Sequence, residues 1–419
     1  MRSSRTWQVL LMLGAACSMS MAACVWAASQ GSAHPGGHPV ASSDDDANAP
    51  YKTFDSLPAI TMEPLLLDMS STSVVVEWMT DSAGDGRVRY GDGQLDHEIV
   101  PQHDGLIPVG TMHRVVIDGL LPGHTYRYQV SSKRVVALKP YWPDMGQTVQ
   151  SPVYSFTTFD PTKKSASFDV ITDTHEDVDR IHALMDMIHR APVDFVVHDG
   201  DGVNYGVSEN QLKDHFLEPM ALGLQGQAPL VYARGNHEYR GEFARSLGGY
   251  LHAQDDKYYF MRDEGPLHLV VVDTGEDKPD DTSVYAGLND LRDYRVEEFA
   301  WLKKTFVEET RTTTAPFTVV LGHQPDWGWL DGHGEQWTQL ANRAHIDLFI
   351  AGHEHVFQYI RPGEHGNDFP ILVVGQDQVA RVQASDRELK VEVTDRAGKL
   401  VDAFSLKRKG KLGQNRVII

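Results

Sequence analysis

Apolar and polar residues recur with two different periods along the chain. In the first region, runs such as TSVVVEWMT and HTYRYQVSS place an apolar side chain at every second position, for example at Val74, Val76 and Trp78. Gly, Pro and Asp residues separate these short runs. A period of two with regularly spaced turn residues is typical of strands that bury one face, so residues 56–160 are predicted to form an all-β sandwich.

The second region, residues 165–407, alternates between strand and helix patterns. Apolar runs such as FDVI, DFVV, PLVYA, FTVVLG and DLFIAG predict buried strands, whereas DVDRIHALMDMIHRA and VEEFAWLKKTFVEET repeat their apolar residues with the period of a helix. The stretch RELKVEVTDRAGKLVDAFSLKRK predicts a hairpin that turns at DRAG, and residues 408–419 are predicted to be a tail. Strands that alternate with helices indicate an α/β domain.

The first 27 residues have the pattern of a secretory signal peptide. Two arginines precede a long apolar stretch, and small residues precede Ala28, the predicted first residue of the mature chain. Cleavage there would remove both cysteines, Cys17 and Cys24, and would leave no thiolate ligand and no transmembrane segment. The protein is therefore predicted to be periplasmic or secreted. A lipoprotein anchored through Cys24 in MAAC is the alternative.

The composition excludes one class of partner. The chain has 38 Lys and Arg against 58 Asp and Glu, a formal net charge of −20, so no basic patch is expected to hold nucleic acid. An anionic substrate would need a local source of positive charge, such as a metal ion. Residues 28–55, rich in Gly, Ser, Pro and Asp, are predicted to be a flexible linker. The composition gives no indication of an oligomeric state.

Polar side chains directly follow five of the predicted strands. In open α/β sheets, binding sites form beyond the carboxyl ends of the strands, so these side chains are expected to lie together. Carboxylate, amide and imidazole ligands without thiolate suit divalent ions such as Mn, Fe, Co and Zn. Each short motif alone is more often an ordinary polar turn, and only their joint occurrence favours a metal site. In strand order, the residues are Asp173 and His175, Asp201, Asn236 and His237, His323, and His353 and His355.

The five motifs D-x-H, GD, GNHE, GH and GHEH, in this order, resemble the signature of the calcineurin-like metallophosphoesterase superfamily. The strand pattern of residues 56–160 more loosely resembles the fibronectin type III-like domain that precedes the catalytic domain in purple acid phosphatases. The resemblance implies a multidomain protein. Its all-β fibronectin type III-like sandwich would be followed by an α/β metallophosphoesterase domain, a β-sheet sandwich flanked by helices.

The resemblance also implies two divalent metal ions and a role for the residue beside one of their ligands. His237 would bind no metal, and would instead protonate the leaving oxygen or stabilise the transition state. Glu238 is expected to orient its loop. The first ion would be bound by Asp173, His175, Asp201 and His355, and the second by Asp201, Asn236, His323 and His353, with Asp201 bridging both.

The implied function is a secreted or periplasmic phosphoesterase that hydrolyses phosphate esters by metal-activated water, with phosphomonoesters favoured. A phosphodiesterase or nucleotidase of the same superfamily is the alternative, and a non-catalytic envelope binding protein is a further one. Arg240 is predicted to clamp the phosphate anion. Packing within their loops is the plainer interpretation of four other candidates for substrate contact. These are Tyr205, Tyr239, Trp327 and Trp329.

Two positions depart from the purple acid phosphatases, in which a tyrosine three residues after the bridging aspartate binds Fe(III) and the first motif lacks the histidine. Here the position of that tyrosine is Asn204, Tyr205 follows one residue later, and His175 is present in the first motif. A neutral imidazole favours a divalent ion over Fe(III) when it replaces an anionic phenolate. The enzyme is therefore expected to be colourless and to work with divalent metal near neutral pH.

Overall fold

The computed structural model describes residues 52–251, 257–306, 313–330 and 332–408. The predicted signal peptide, most of the predicted linker and the tail beyond residue 408 lie outside these ranges. The described residues belong to one compact unit. Within them, no helix is both long enough and apolar enough to cross a membrane.

Strands make up most of the regular structure in these ranges. In chain order they are β1 Ile60–Leu67, β2 Ser73–Gly91, β3 His97–Ile99, β4 Gly110–Asp118, β5 Thr125–Ala137, β6 Asp144–Gln150, β7 Tyr154–Thr157, β8 Ser165–Ile171, β9 Phe195–Asp199, β10 Leu230–Ala233, β11 Phe260–Glu264, β12 Leu267–Val271, β13 Phe317–Leu321, β14 Leu348–Ala351, β15 Gln358–Ile360, β16 Ile371–Val373, β17 Gln378–Ser385, β18 Glu388–Asp395 and β19 Leu400–Lys407.

The helices are confined to the second region of the sequence. Helix α1 begins where the side chain of Asp177 accepts a hydrogen bond from the N–H of Arg180, and a π-helical turn joins α2 to α3. The helices are α1 Val178–Ile188, α2 Glu209–Leu212, α3 Glu218–Leu224, α4 Gly248–Leu251, α5 Leu291–Lys304 and α6 Gly334–Ala344.

The strands form two sheets. The larger has the order β19-β18-β17-β8-β9-β10-β1-β2-β5-β6, with β3 and β4 paired to β2 and β7 paired to β5. The smaller has the order β11-β12-β13-β14-β16-β15. Strands β8, β9 and β10 are parallel, and so are β12, β13, β14 and β16. The predicted hairpin that turns at DRAG is formed by β18 and β19.

The N-terminal region is the predicted all-β domain. The first half of the long strand β2 pairs with β1 and β4, and its second half pairs with β5 and β3. Val74, Val76 and Trp78 are fully buried, as their alternation predicts. Strand β1 also pairs with β10 through Leu67 and Leu230, so the larger sheet continues into the second region.

In the second region, the two sheets share a core and helices cover their outer faces. The inner core includes Val170 and Val197 of the larger sheet together with Leu269 and Val319 of the smaller one. Helices α1 and α3 pack against the other face of the larger sheet. Helices α5 and α6 pack against the other face of the smaller sheet. The predicted fold class, a sandwich of sheets flanked by helices, is confirmed.

Parallel strands from both sheets place the polar motifs of the sequence at one edge. Strands β8, β9 and β10 of the larger sheet, and β13 and β14 of the smaller one, each end within two residues of the start of one of the five motifs. The pairs Ile171 with His198 and Ala233 with Asp199 show that β8, β9 and β10 end nearly level. This edge carries the candidate site.

A buried histidine in the N-terminal domain should make the stability depend on pH. His113 is 5% exposed, and its ring stacks on Trp78 with 5.1 Å between the ring centres. Burial lowers the pKa of His113 to about 4, and the nearby Asp85 opposes this only in part. Between pH 6.5 and 4 the unfolded chain binds a proton that the folded chain does not, so stability is lost as the pH falls through this window.

Urea unfolding at pH 7 and pH 5 measures this effect. The contribution of His113 should lower the free energy of unfolding by about 2 kcal/mol at pH 5 relative to pH 7, and His113→Gln should remove that difference. His103, exposed in the same region, provides the control His103→Gln. A pH dependence unchanged in His113→Gln would contradict the assignment.

Candidate metal centre

The strand ends bring the predicted ligands into two groups that share one residue. Within each group, one ligand atom from every residue lies within 4.8 Å of the others. Asp201 belongs to both groups. The first group is Asp173, His175, Asp201 and His355, and the second is Asp201, His323 and His353.

In the first group, side-chain nitrogens and oxygens point into one small space. His175 Nε2 lies 3.1 Å from His355 Nε2. His355 Nε2 lies 3.3 Å from Asp173 Oδ1, and His175 Nε2 lies 3.8 Å from Asp201 Oδ2. Two carboxylates and two imidazoles at these distances form a donor set that suits a divalent transition metal or zinc.

An amide lies beside the second group. Asn236 Oδ1 is 3.0 Å from His353 Nδ1. In the same group, His323 Nε2 is 3.1 Å from Asp201 Oδ2. Asn236 therefore lies beside the second group, and its role as a metal ligand stays a prediction.

Two buried polar atoms show that these residues fit a metal. Asp173 Oδ1 and His323 Nε2 are buried, and within the described ranges neither makes a well-formed hydrogen bond, although His355 Nε2 lies 3.3 Å from the first and Asp201 Oδ2 lies 3.1 Å from the second. Burying a polar atom without a well-formed hydrogen bond costs about 1–3 kcal/mol. A cation coordinated by both groups would satisfy these atoms and remove that cost.

The backbone at the strand ends adopts a conformation that few residues other than glycine adopt. Five predicted ligands have positive φ angles. Hydrogen bonds between the loops hold this conformation, because the N–H of Asp173 donates to Gly200 O at 3.0 Å and that of His175 donates to Asp201 O at 2.9 Å. The five φ angles are 52° at Asp173, 48° at His175, 54° at Asp201, 71° at His353 and 59° at His355.

Two glycines of the motifs are required by close packing. A Cβ atom at Gly235 would lie 2.3 Å from Asp201 Oδ1, and one at Gly352 would lie 2.1 Å from Thr172 Oγ1. Cβ atoms do not approach other atoms so closely. The glycines of GNHE and GHEH therefore allow the ligand loops to lie against each other.

Backbone carbonyl groups orient two of the histidines. His323 Nδ1 donates to the carbonyl oxygen of Asp199 at 2.6 Å. His237 Nδ1 donates to the carbonyl oxygen of Asn204 at 2.9 Å. Since a carbonyl oxygen only accepts, each ring carries a proton on Nδ1 and keeps Nε2 for other partners. His237 Nε2 lies 3.8 Å from Asp201 Oδ2, so an imidazole outside both ligand groups lies beside the shared carboxylate.

Glu238 holds the loop that carries Asp201. Its side chain is buried, and its carboxylate accepts hydrogen bonds from four backbone N–H groups. The donors are Asp201 at 3.1 Å, Gly202 at 2.7 Å, Val203 at 3.4 Å and Gly235 at 3.0 Å. Burial, and then the charge of Asp201, raise the pKa of Glu238 to about 7. These contacts fit the orienting role expected for Glu238.

The electrostatics of the site favour positive charge. Burial alone would lower the pKa of His323, but Asp201 and Asp173 raise it well above its usual value. Burial alone would raise the pKa of Asp201, but His323 and His237 hold it below its usual value. Two neighbouring buried carboxylates repel each other, and an adjacent cation stabilises both.

Behind the ligand loops lies a network that was not predicted from the sequence. The Arg234 guanidinium lies over the rings of Tyr239 and Tyr258, 3.8 Å from each ring centre. Arg234 Nε donates to Asp273 Oδ2 at 2.8 Å. The hydroxyl groups of Tyr239 and Tyr294 donate to Asp273 at 2.8 and 3.0 Å. Asp273 comes two residues after β12, so the strand-end rule that found the ligands could have found it.

Two of the predicted substrate contacts lie near the site. Arg240 forms an ion pair with Glu276, in which Nε contacts Oε1 and Nη2 lies 3.1 Å from Oε2. Nη2 also lies 3.2 Å from Asp277 Oδ1. Tyr205 is 56% exposed, and its ring centre lies 6.4 Å from that of His237. Glu276, which is distant in sequence, is a partner that the sequence did not reveal.

Trp327 does not reach the site. It is only 2% exposed, and its ring stacks on Phe349 with 4.4 Å between the centres. Its Nε1 donates to Thr338 Oγ1 at 3.0 Å. The burial of Trp327 therefore contradicts the substrate contact considered for it and supports the plainer interpretation, which is packing within the protein. Trp329, by contrast, is 44% exposed.

Comparison with known proteins agrees with this geometry. Residues 166–357 match the family model of the calcineurin-like phosphoesterases, and residues 65–158 match that of the purple acid phosphatase N-terminal domain. Residues 166–357 therefore belong to the calcineurin-like phosphoesterase family. This makes the chain a phosphoric ester hydrolase, and the family implies divalent metal ions.

Two solved structures resemble this chain. The purple acid phosphatase PPD1 from yellow lupin (Lupinus luteus) seeds is 14% identical, with a TM-score of 0.64 over 85% of this chain and 75% of its own. The structure of PhoD is 12% identical, with a TM-score of 0.56 over 84% of this chain and 91% of its own. At such low identity these similarities show the fold alone. No curated protein matches the sequence.

Asp201 should control the metal content of this phosphoesterase. Asp201→Asn removes the charge of the residue shared by both ligand groups, so elemental analysis of metal-reconstituted protein should find less than half of the wild-type metal. Asp186→Asn, on an exposed position of α1, is the control and should bind metal as the wild type does. Wild-type metal content in Asp201→Asn would show that the shared carboxylate is not a ligand.

Proposed function

We propose that this protein is a secreted or periplasmic phosphomonoesterase that uses two divalent metal ions. The observation that carries the proposal is the sharing of Asp201 by two ligand groups, with His237 outside both groups and 3.8 Å from that carboxylate. Two-metal phosphatases hold their ions roughly 3.5–4 Å apart, a spacing that a shared carboxylate supports. Ligands with nitrogen and oxygen atoms suit Mn, Fe, Zn or Co.

The protein would supply the ligands, and the two metal ions would supply the positive charge at the centre of the site. When bound, such ions stabilise the phosphoryl oxygens and lower the pKa of water. Asp173 Oδ1 and His323 Nε2 are buried without a well-formed hydrogen bond in the described ranges, which supports coordination at both groups. One ion would be held by Asp173, His175, Asp201 and His355, and the other by Asp201, Asn236, His323 and His353.

His237 would act on the leaving group. The bond from Nδ1 to the carbonyl oxygen of Asn204 fixes the ring and keeps Nε2 for the substrate. The side chain is 24% exposed, so a substrate can reach it. A protonated Nε2 can donate to the leaving oxygen as its bond to phosphorus breaks, and such general acid catalysis contributes about 10²–10⁴-fold.

Arg240 would bind the phosphate. The buried Glu276 engages Nε and Nη2 and so fixes the plane of the guanidinium. Within the described part of the chain, Nη1 makes no hydrogen bond, so the guanidinium keeps donors for an anion. A phosphomonoester dianion gains more from this cation than a diester monoanion does. This difference is why we favour monoesters.

Export is the part of the proposal that rests on sequence alone. A basic start, an apolar stretch and small residues before Ala28 support a signal peptide. The lack of cysteine after Cys24 fits a mature chain without disulfides.

His237→Ala tests the proposed chemistry. The metal content should be retained, because His237 lies outside both ligand groups, whereas kcat should fall by about 10²-fold or more. The loss should be smaller for 4-nitrophenyl phosphate than for glycerol 2-phosphate, since a good leaving group needs less protonation. His182→Ala, exposed on α1, is the control. Equal losses for both esters would argue against the acid role, and a wild type that hydrolyses diesters but not monoesters would contradict the monoester preference.

The iron-loaded protein should be colourless. Asn204 Nδ2 donates to the His175 carbonyl oxygen at 3.0 Å, and the Asn204 N–H donates to Glu176 Oε1 at 2.7 Å. These bonds hold Asn204 against the loop that carries His175 and Glu176, while the neighbouring Tyr205 is 56% exposed. We therefore expect the Tyr205 phenolate to stay outside the coordination of the iron. An intense visible absorption band that vanishes in Tyr205→Phe would contradict this.

A further inference from the structure

A cavity of about 500 Å³ lies between the acidic loop, residues 275–281, helix α5 and two short stretches, residues 329–330 and 333–337. A cavity of this size is within the range of small-molecule sites. Three aromatic and three aliphatic side chains form its apolar wall. They are Phe299, Trp329, Trp337, Leu291, Val296 and Leu330.

Two loops connect this cavity to the metal centre. Glu276 lines the cavity and forms the ion pair with Arg240, which comes three residues after His237. Gln324, directly after the predicted ligand of the GH motif, donates through Nε2 to the carbonyl oxygen of Gly275 at 2.9 Å. The cavity and the metal centre are therefore built on the same loops. A second cavity, of about 530 Å³, lies near Ser155, Lys163 and Asp194, at the amino ends of β8 and β9 and so away from the metal centre.

The backbone turns Trp329 outward at the cavity. Trp327 and Gly328 have φ angles of 71° and 74°, so the chain reverses between the buried Trp327 and the exposed Trp329. The N–H of Trp329 donates to the carbonyl oxygen of Glu276 at 3.3 Å. A Cβ atom at Gly328 would lie 1.9 Å from the carbonyl oxygen of Thr274, so this position requires glycine. The exposed indole is therefore carried by a fixed backbone.

Neighbouring side chains hold the Trp337 ring of the apolar wall in place. The Arg295 guanidinium lies 4.2 Å from the centre of the Trp337 ring, and the Phe299 ring centre lies 5.3 Å from that of Trp337. Arg295 itself donates to Glu298 at 2.6 Å and to the carbonyl oxygen of Trp327 at 2.7 Å. An aromatic wall that is already ordered can bind the ring of a ligand without the cost of ordering its own side chains.

We propose that this cavity binds the leaving group of the substrate, and that this group is an uncharged aromatic ring. The proposal rests on the proposed phosphomonoesterase function and names its substrate class, the aryl phosphates. Aromatic walls favour a flat apolar group. The charged side chains around the cavity are balanced, so neither sign of charge is preferred in the ligand. They are Glu276, Asp280, Asp281, Lys278, Arg292 and Arg295.

The reaction on such a substrate is a simple hydrolysis. The oxygen of water forms a bond to phosphorus, and the bond from phosphorus to the ring oxygen breaks. The ring oxygen keeps the bonding electrons, takes a proton from His237 and leaves as a neutral phenol. The second product is inorganic phosphate, and the proton lost by water restores His237.

Trp329→Ala tests the proposal with 2-naphthyl phosphate and glycerol 2-phosphate. Loss of the indole contact should lower kcat/KM for 2-naphthyl phosphate about ten-fold and change kcat/KM for glycerol 2-phosphate by less than about two-fold. Equilibrium dialysis of the metal-loaded protein against 2-naphthol should show binding about ten-fold weaker in this variant. Trp329→Phe, which keeps a ring, should restore most of both values. Trp142→Ala, partly exposed in the N-terminal domain, is the matched control.

Equal losses for the two esters, or 2-naphthol binding that Trp329→Ala leaves unchanged, would overturn the proposal. Failure of the proposed function is a separate outcome, because the wild type would then hydrolyse neither ester. In that event the dialysis of 2-naphthol still decides whether the cavity binds an aromatic ring.

Discussion

Two buried carboxylates placed side by side are the constraint on which the rest of the site depends. Asp173 and Asp201 are 0% and 1% exposed, and the charge of Asp201 opposes the ionisation of Asp173. Such a pair is stable in its ionised form only when cations or donors surround it closely. The imidazoles of both ligand groups, the left-handed backbone of the loops and the two closely packed glycines all follow from holding this repulsive pair in one place.

The architecture of two sheets allows the pair to be surrounded. Strands β8, β9 and β10 of the larger sheet precede predicted ligands, and β13 and β14 of the smaller sheet precede the histidines of the candidate groups. The core between the sheets fixes the distance between these strand ends. Sites built on regular strands are held more accurately than sites on long loops. The candidate metal centre therefore lies at the junction of the sheets, and both sheets contribute residues to it.

The short segment RGNHEYR, residues 234–240, is fixed to its surroundings at three points. Arg234 is paired with Asp273 after β12. Glu238 binds the backbone of the Asp201 loop. Arg240 is paired with Glu276 of the acidic loop. Between these anchors lie Asn236 and His237, the residues to which we assign metal binding and proton donation, so the proposed chemistry is carried by a segment with little freedom to move.

The sequence by itself determined the fold class and the chemical character of the strand ends, because both depend on local patterns. Alternation of apolar residues reports which face of a strand is buried, and five polar motifs placed after apolar runs report where ligands converge. The buried Val74 and Trp78 and the two ligand groups agree with those patterns. The chemistry expected of His237 likewise came from its place in a motif, and it remains a proposal.

Only the tertiary structure decided which partners meet across long separations. Arg240 pairs with Glu276, 36 residues further along the chain. Asp273 contacts Arg234 and Tyr239 of one segment and Tyr294 of helix α5. Trp327 and Trp329 look alike in sequence, yet two consecutive residues in the left-handed conformation bury the first and expose the second. A local pattern does not encode these outcomes, because they depend on how loops from two sheets pack against each other.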